Sequence, residues 1–134
     1  MDDISSINSD GVFEEAISSM YPDSLLLNKE NDGHLSANIL DLTVNLDSAS
    51  KIFNYLTYDK KDKFKFEVVN YPDLCSNLSK KSCYGVVKSE LKRYCKRSSK
   101  YSEFLKRKDI FFSKLLKKGY LINKLNSILT SITF

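Results

Sequence analysis

A chain of 134 residues is the size of one domain, long enough to bury a core but short for most self-sufficient enzymes. Sixteen Phe and Tyr rings against only six Pro and Gly exclude global disorder, so the chain is expected to fold. There is no run of eighteen apolar residues, and the first thirty residues lack the basic and apolar regions of a secretory signal. An intracellular protein, cytoplasmic or nuclear and not membrane-bound, is expected. Cys75, Cys83 and Cys95 show no CxxC spacing and the single histidine, His34, lies far from them, which argues against a zinc site or a disulfide framework.

The net charge of +4 conceals a division. Residues 1–50 sum to −9 and residues 51–134 to +13, the pattern of an acidic platform joined to a basic module that meets a polyanion. Docking of the acidic half on the basic half is the internal alternative.

In chain order, Ser9 or Asp10 can cap a helix over Val12–Met20, with Glu14 and Glu15 in the first turn and Tyr21-Pro22 ending it. Leu25–Leu27 reads as a short buried strand. From Ile39 the pattern alternates, with Leu40, Leu42, Val44 and Leu46 on one face, which predicts a half-buried strand. Asp47–Ser50 turns the chain into a second strand carrying Ile52, Tyr55, Leu56 and Tyr58, and Phe64, Phe66 and Val68 predict a third.

Beyond a polar linker over Ser76–Lys81 the period becomes helical. Ser82 can cap a helix that packs Tyr84, Val87, Leu91, Tyr94 and Cys95, while Lys88, Lys92 and Lys96 form an i, i+4 stripe widened by Arg93 and Arg97. That stripe has the spacing to follow a phosphate backbone. A second helix runs from Tyr101 to Lys118 and stops at Gly119; a third carries Leu121, Ile122, Leu125, Ile128, Leu129 and Ile132. The expected fold class is α+β, a short helix with a small antiparallel sheet followed by a three-helix bundle.

One ordered set of segments is more specific. Met1-Asp2-Asp3-Ile4, Tyr21-Pro22, Leu25-x-Leu27-x-Lys29-Glu30-Asn31, Leu40-Asp41-Leu42, Tyr58-Asp59-Lys60-Lys61-Asp62-Lys63-Phe64-x-Phe66, Val69-Asn70-Tyr71-Pro72, Ser82-x-Tyr84-Gly85-Val86 and Lys114–Tyr120 follow one another along the chain. The succession, from Met1 to about Leu125, resembles the C-terminal part of retroelement-type reverse transcriptases, RNA-directed DNA polymerases with a Tyr-x-Asp-Asp palm motif. In that resemblance Met1 is the internal methionine of a Tyr-Met-Asp-Asp motif, and Asp2 and Asp3 are the catalytic carboxylates that hold Mg²⁺ in a complete polymerase.

The same resemblance makes residues 1–75 the end of the palm, with a primer-grip-like hairpin over Leu40–Tyr58, and residues 82–134 the thumb. It implies an RNA–DNA or DNA template–primer duplex as partner, contacted by Lys60, Lys61, Lys88, Lys92, Arg93, Lys96 and Arg97. Fingers, early palm and the family's upstream aspartate have no counterpart in the sequence, so catalysis by the isolated chain is not expected. The alternative expectation is a non-enzymatic remnant whose uncovered palm surface binds the missing part of a polymerase or another protein. The chain departs from the family at Glu90-Leu91-Lys92-Arg93, where Gln-Leu-Ile-Arg is usual, and at Lys60–Lys63, where Lys-Arg-Asp-Asp is usual.

Overall fold

A computed structural model describes residues 11–22, 24–25, 35–64, 66 and 71–134. Their order is α1 (Val12–Met20), strands β1 (Ser36–Ile39), β2 (Leu42–Asp47) and β3 (Ile52–Thr57), a 3-10 turn (Lys60–Lys63), then α2 (Lys80–Lys96), α3 (Tyr101–Lys117) and α4 (Ile122–Thr130). The strands form an antiparallel meander in the order β1-β2-β3, so the fold class is α+β as expected. None of the described helices is long and apolar enough to cross a membrane.

The meander corrects the reading of Ile39–Leu46 as one strand. The chain reverses at Leu40-Asp41, and Ile39 pairs directly with Leu42. Leu40 has a φ of 53° and is 75% exposed, so it leaves the apolar face to which alternation assigned it. A positive φ costs a branched side chain free energy, on the order of 1 kcal/mol. Two contacts of Asp41 offset this: its carbonyl accepts from the Tyr58 N–H at 2.8 Å, and its carboxylate takes Arg97 at 2.5 Å. At the other hairpin Asp47 accepts from the Ala49 N–H and the Ser50 hydroxyl, as the Asp47–Ser50 turn predicted.

The sheet is amphipathic. Directly paired residues point to the same side, which gathers Ile39, Leu42, Val44, Leu46, Phe53, Tyr55 and Thr57 on one face and Ser36, Asn38, Thr43, Asn45, Asp47 and Asn54 on the other, where Ile52 and Leu56 of β3 are the apolar exceptions. On the polar face Thr43 donates to Asn38 Oδ1 at 2.6 Å.

Other expectations also change. Phe64 and Phe66 are not in a strand; their rings stack on each other with centroids 5.2 Å apart, and Val68 lies outside the described residues. Leu25 sits in a bend, half exposed, and Leu26 and Leu27 lie outside the described residues. The cap position of α1 is held by Gly11, with a φ of 86° and no side-chain cap, while Ser9 and Asp10 are not described.

The core lies in the bundle. Cys83, Val87, Leu91 and Tyr94 from α2 close on Phe104, Phe111, Phe112 and Leu115 from α3, with Tyr120 and Leu125 completing the cluster. Helix α2 begins a turn earlier than predicted because Ser79, not Ser82, is the cap: its Oγ accepts from the Ser82 N–H at 3.1 Å. Tyr84 and Cys95 are only partly buried; Cys83 takes the central place, and Cys95 donates to the Thr133 carbonyl.

Gly119 ends α3 as expected, with a φ of 80°. Its N–H reaches the Leu116 carbonyl and the Tyr120 N–H reaches the Leu115 carbonyl, the paired bonds that satisfy a helix C-terminus. Sheet and bundle meet where Ser99, between α2 and α3, pairs with the outer edge of β3. The Tyr55 N–H donates to Ser99 Oγ, and the Tyr55 carbonyl accepts from the Ser99 N–H and hydroxyl.

Candidate nucleic-acid interface

A helix with an apolar face toward a bundle leaves one pole for solvent, and the chemistry there is set by sequence. On α2 that pole carries Lys81, Gly85, Lys88, Ser89, Lys92 and Lys96, all exposed and opposite Cys83, Val87, Leu91 and Tyr94. At 1.5 Å per residue the four lysines span about 22 Å of helix.

The lysines of this face are uncompensated. Each described carboxylate of residues 51–134 has a basic partner: Asp59 and Asp62 take Arg107, Asp73 takes Lys118, Glu90 takes Arg93, Glu103 takes Lys106 and Asp109 takes Lys108. Lys81, Lys88, Lys92 and Lys96 have no carboxylate partner among the described residues. Lys51, Lys60, Lys63, Lys80, Lys100, Lys117 and Lys124 likewise have no carboxylate partner among the described residues, but the α2 pole places four such lysines on one helix face.

Two features of α2 cost stability. Lys80 and Lys81 stand in the first turn of α2, which has no acid, where the helix dipole disfavours cations. Gly85 sits in a helix interior, costing about 1 kcal/mol against alanine, and a Cβ there would meet nothing within 4 Å. No packing requirement among the described residues explains it. Local departures of this kind on one face are the pattern of a surface shaped for something other than folding.

The structure divides the residues that the sequence singled out. Lys88, Lys92 and Lys96 share the outer pole of α2, and Lys81, left in the linker by the sequence reading, joins them because the Ser79 cap extends the helix. Arg93 is turned to Glu90 at 2.7 Å and Arg97 to Asp41 of the sheet, so neither belongs to the uncompensated stripe. Arg97 joins the acidic half to the basic half at one point, a local form of the internal docking considered above. Lys60 and Lys61 are on the 3-10 turn, exposed but on a different element. Asp2 and Asp3 lie outside the described residues, and among the described residues no group of three or more His, Cys, Asp or Glu could hold a metal ion.

Sequence reasoning missed Arg107 altogether. Its guanidinium is only 11% exposed and meets Asp59 at 2.7 Å through Nη2 and Asp62 through Nη1, with the Tyr94 ring 5.5 Å away. Lys114 also reaches Asp62, at 3.3 Å. The cavity beside Arg107, lined in part by Tyr71, Tyr94 and Lys114, measures about 10 Å³, close to the room of a single water and far below a ligand pocket.

Burial pushes the Asp62 carboxyl up, but the hydrogen bonds and charges of Arg107 and Lys114 more than offset this and leave it below the usual range. A carboxylate with a depressed folded pKa contributes stability that is present above its unfolded value, about 3.9, and is lost as pH falls through the folded value. The melting temperature is therefore expected to drop below about pH 4. The drop should be shallower in Asp62→Asn, a comparison made by circular-dichroism melts from pH 7 to pH 2.5. Comparison of the chain with protein-family models, with curated proteins and with solved structures gave no match.

Proposed function

We propose that the chain is the end of the palm and the thumb of a retroelement-type reverse transcriptase, and that it holds a template–primer duplex on the outer pole of α2. The observation that carries this reading is the lysine stripe Lys81, Lys88, Lys92 and Lys96, uncompensated by any described carboxylate. Ammonium groups spaced along a rigid helix bind a phosphate backbone through counterion release and carry no sequence information. A three-helix bundle in the second half and a hairpin-containing sheet over Leu40–Tyr58 agree with what the resemblance implies for thumb and primer grip. Catalysis belongs to a complete polymerase, in which Asp2 and Asp3 would take Mg²⁺.

The test is titration of a fluorescent RNA–DNA hybrid over a range of salt. Binding should weaken with a log–log slope of roughly −0.7 to −0.9 per phosphate neutralised. Absence of salt-dependent binding would overturn the reading. Gly85 adds a second expectation, because a bare helix surface between lysines lets a backbone approach closely. Gly85→Ala should stabilise the fold by about 1 kcal/mol in urea unfolding while weakening hybrid binding; a variant both more stable and equally tight would show that the gap is idle.

A second reading rests on the sheet. Phe53 and Tyr55 share its apolar face at 55% and 40% exposure, beside Val44 and Leu46, which are half-buried. An apolar face left open in this way suits a protein partner with an apolar surface of its own. Concentration-dependent self-association relieved by Phe53→Ser would support it.

A further inference from the structure

A single 3-10 turn has too few hydrogen bonds to hold itself in one orientation. The turn Lys60–Lys63 is nevertheless tied at both ends to α3. Asp59 divides its carboxylate: Oδ1 caps the turn by accepting from the Lys61 N–H at 3.1 Å, and Oδ2 takes Arg107 Nη2 at 2.7 Å. Asp62, three residues on, takes the other nitrogen of the same guanidinium and Lys114 as well. Both acids of Asp59-Lys60-Lys61-Asp62 thus turn toward one forked cation, while all four residues of the turn, Lys60 among them, are exposed.

We propose that Arg107 is a positioning residue that fixes this turn so that Lys60 supplies a second phosphate contact, separate from the α2 stripe. The proposal rests on the duplex-holding reading above and deepens it. Arg107 suits the task because its planar fork fixes the directions of two carboxylates at once, whereas the three donors of an ammonium rotate on a flexible stem. Burying a guanidinium is costly unless it is paired; both terminal nitrogens of Arg107 meet a carboxylate while its buried Nε has no partner among the described residues, so the two aspartates hold Arg107 in place as much as it holds them. With Asp59 and Asp62 neutralised internally, the turn presents lysine outward although half of its Asp59–Asp62 sequence is acidic.

The experiment is a double-mutant cycle read as the salt slope of RNA–DNA hybrid binding, with Lys60→Gln made in the native chain and in Arg107→Lys. Arg107→Lys keeps the charge and removes the fork. Lys60→Gln should reduce the slope by roughly 0.7 to 0.9 in the native chain and leave it unchanged in Arg107→Lys. An equal reduction in both backgrounds would overturn the positioning role, and no reduction in either would overturn the contact itself. Native binding that depends on the α2 lysines but not on Lys60 would sink this proposal alone; no native binding would sink the duplex reading with it. If Arg107→Lys does not fold, as judged by its melt, Asp62→Asn replaces it as the background that loosens the turn, with the same two outcomes.

Discussion

Phe111→Ala is expected to cost about 3 to 5 kcal/mol, a large share of the 5 to 15 kcal/mol that holds a typical domain together. Phe111 is 2% exposed and lies at the centre of the bundle. Its ring meets the Tyr71 ring edge-on at 5.0 Å and the Tyr94 ring at 5.5 Å, with Phe112 at 6.3 Å. Truncation loses the transfer free energy of the ring and leaves a cavity between aromatic walls that cannot collapse without moving α2 against α3.

The same ring supports the segment that leads into α2. Tyr71 rests on it, and the neighbouring chain is pinned by Tyr120 Oη donating to the Pro72 carbonyl and the Leu74 N–H donating to the Lys118 carbonyl. Urea unfolding followed by circular dichroism should show a midpoint sharply reduced in Phe111→Ala. Phe134→Ala is the control: that ring also packs on two aromatics, Tyr101 and Phe104, but is half exposed, and its loss should cost much less. Similar costs for the two would mean that the bundle centre is not where the stability resides.

How much of this was legible in the sequence depends on the range of the interaction. The bundle helices could be read because their signals are local: apolar residues recur at helical spacing, and Gly119 stands where a left-handed residue must close α3. The Leu40-Asp41 reversal could not, because neither residue belongs to the usual turn-forming pairs and the alternation runs through it. Val44 and Leu46 keep their face on either reading, and only the pairing of Ile39 with Leu42 distinguishes a hairpin from a continuous strand.

The candidate interface was partly legible for the same reason. Lys88, Lys92 and Lys96 declare themselves by their spacing, but whether a lysine is free depends on acids elsewhere. Arg93 and Arg97 looked equivalent to them until Glu90 and the distant Asp41 were seen to claim them. Arg107 finds its two aspartates 48 and 45 residues upstream, a separation over which no periodicity carries information.

Replacing Lys81, Lys88, Lys92 and Lys96 together by glutamine should remove most hybrid binding at moderate salt. If each lysine neutralises one phosphate, the log–log slope should fall by roughly 3. The fold should be unaffected, since the four side chains are exposed and unpaired among the described residues, and surface changes of this kind usually move stability by less than about 0.5 kcal/mol. The substitutions also take the formal net charge from +4 to 0, so a weaker attraction to any polyanion would follow even without a specific site.

A second quadruple variant separates the two effects. Lys51, Lys106, Lys117 and Lys124 replaced by glutamine give the same net charge but leave the α2 pole intact. If the stripe is the interface, this control keeps most of the native slope while the stripe variant loses it. Equal losses in the two would mean that the chain attracts nucleic acid only through its overall charge, and that the concentration of lysine on α2 does not organise a binding face.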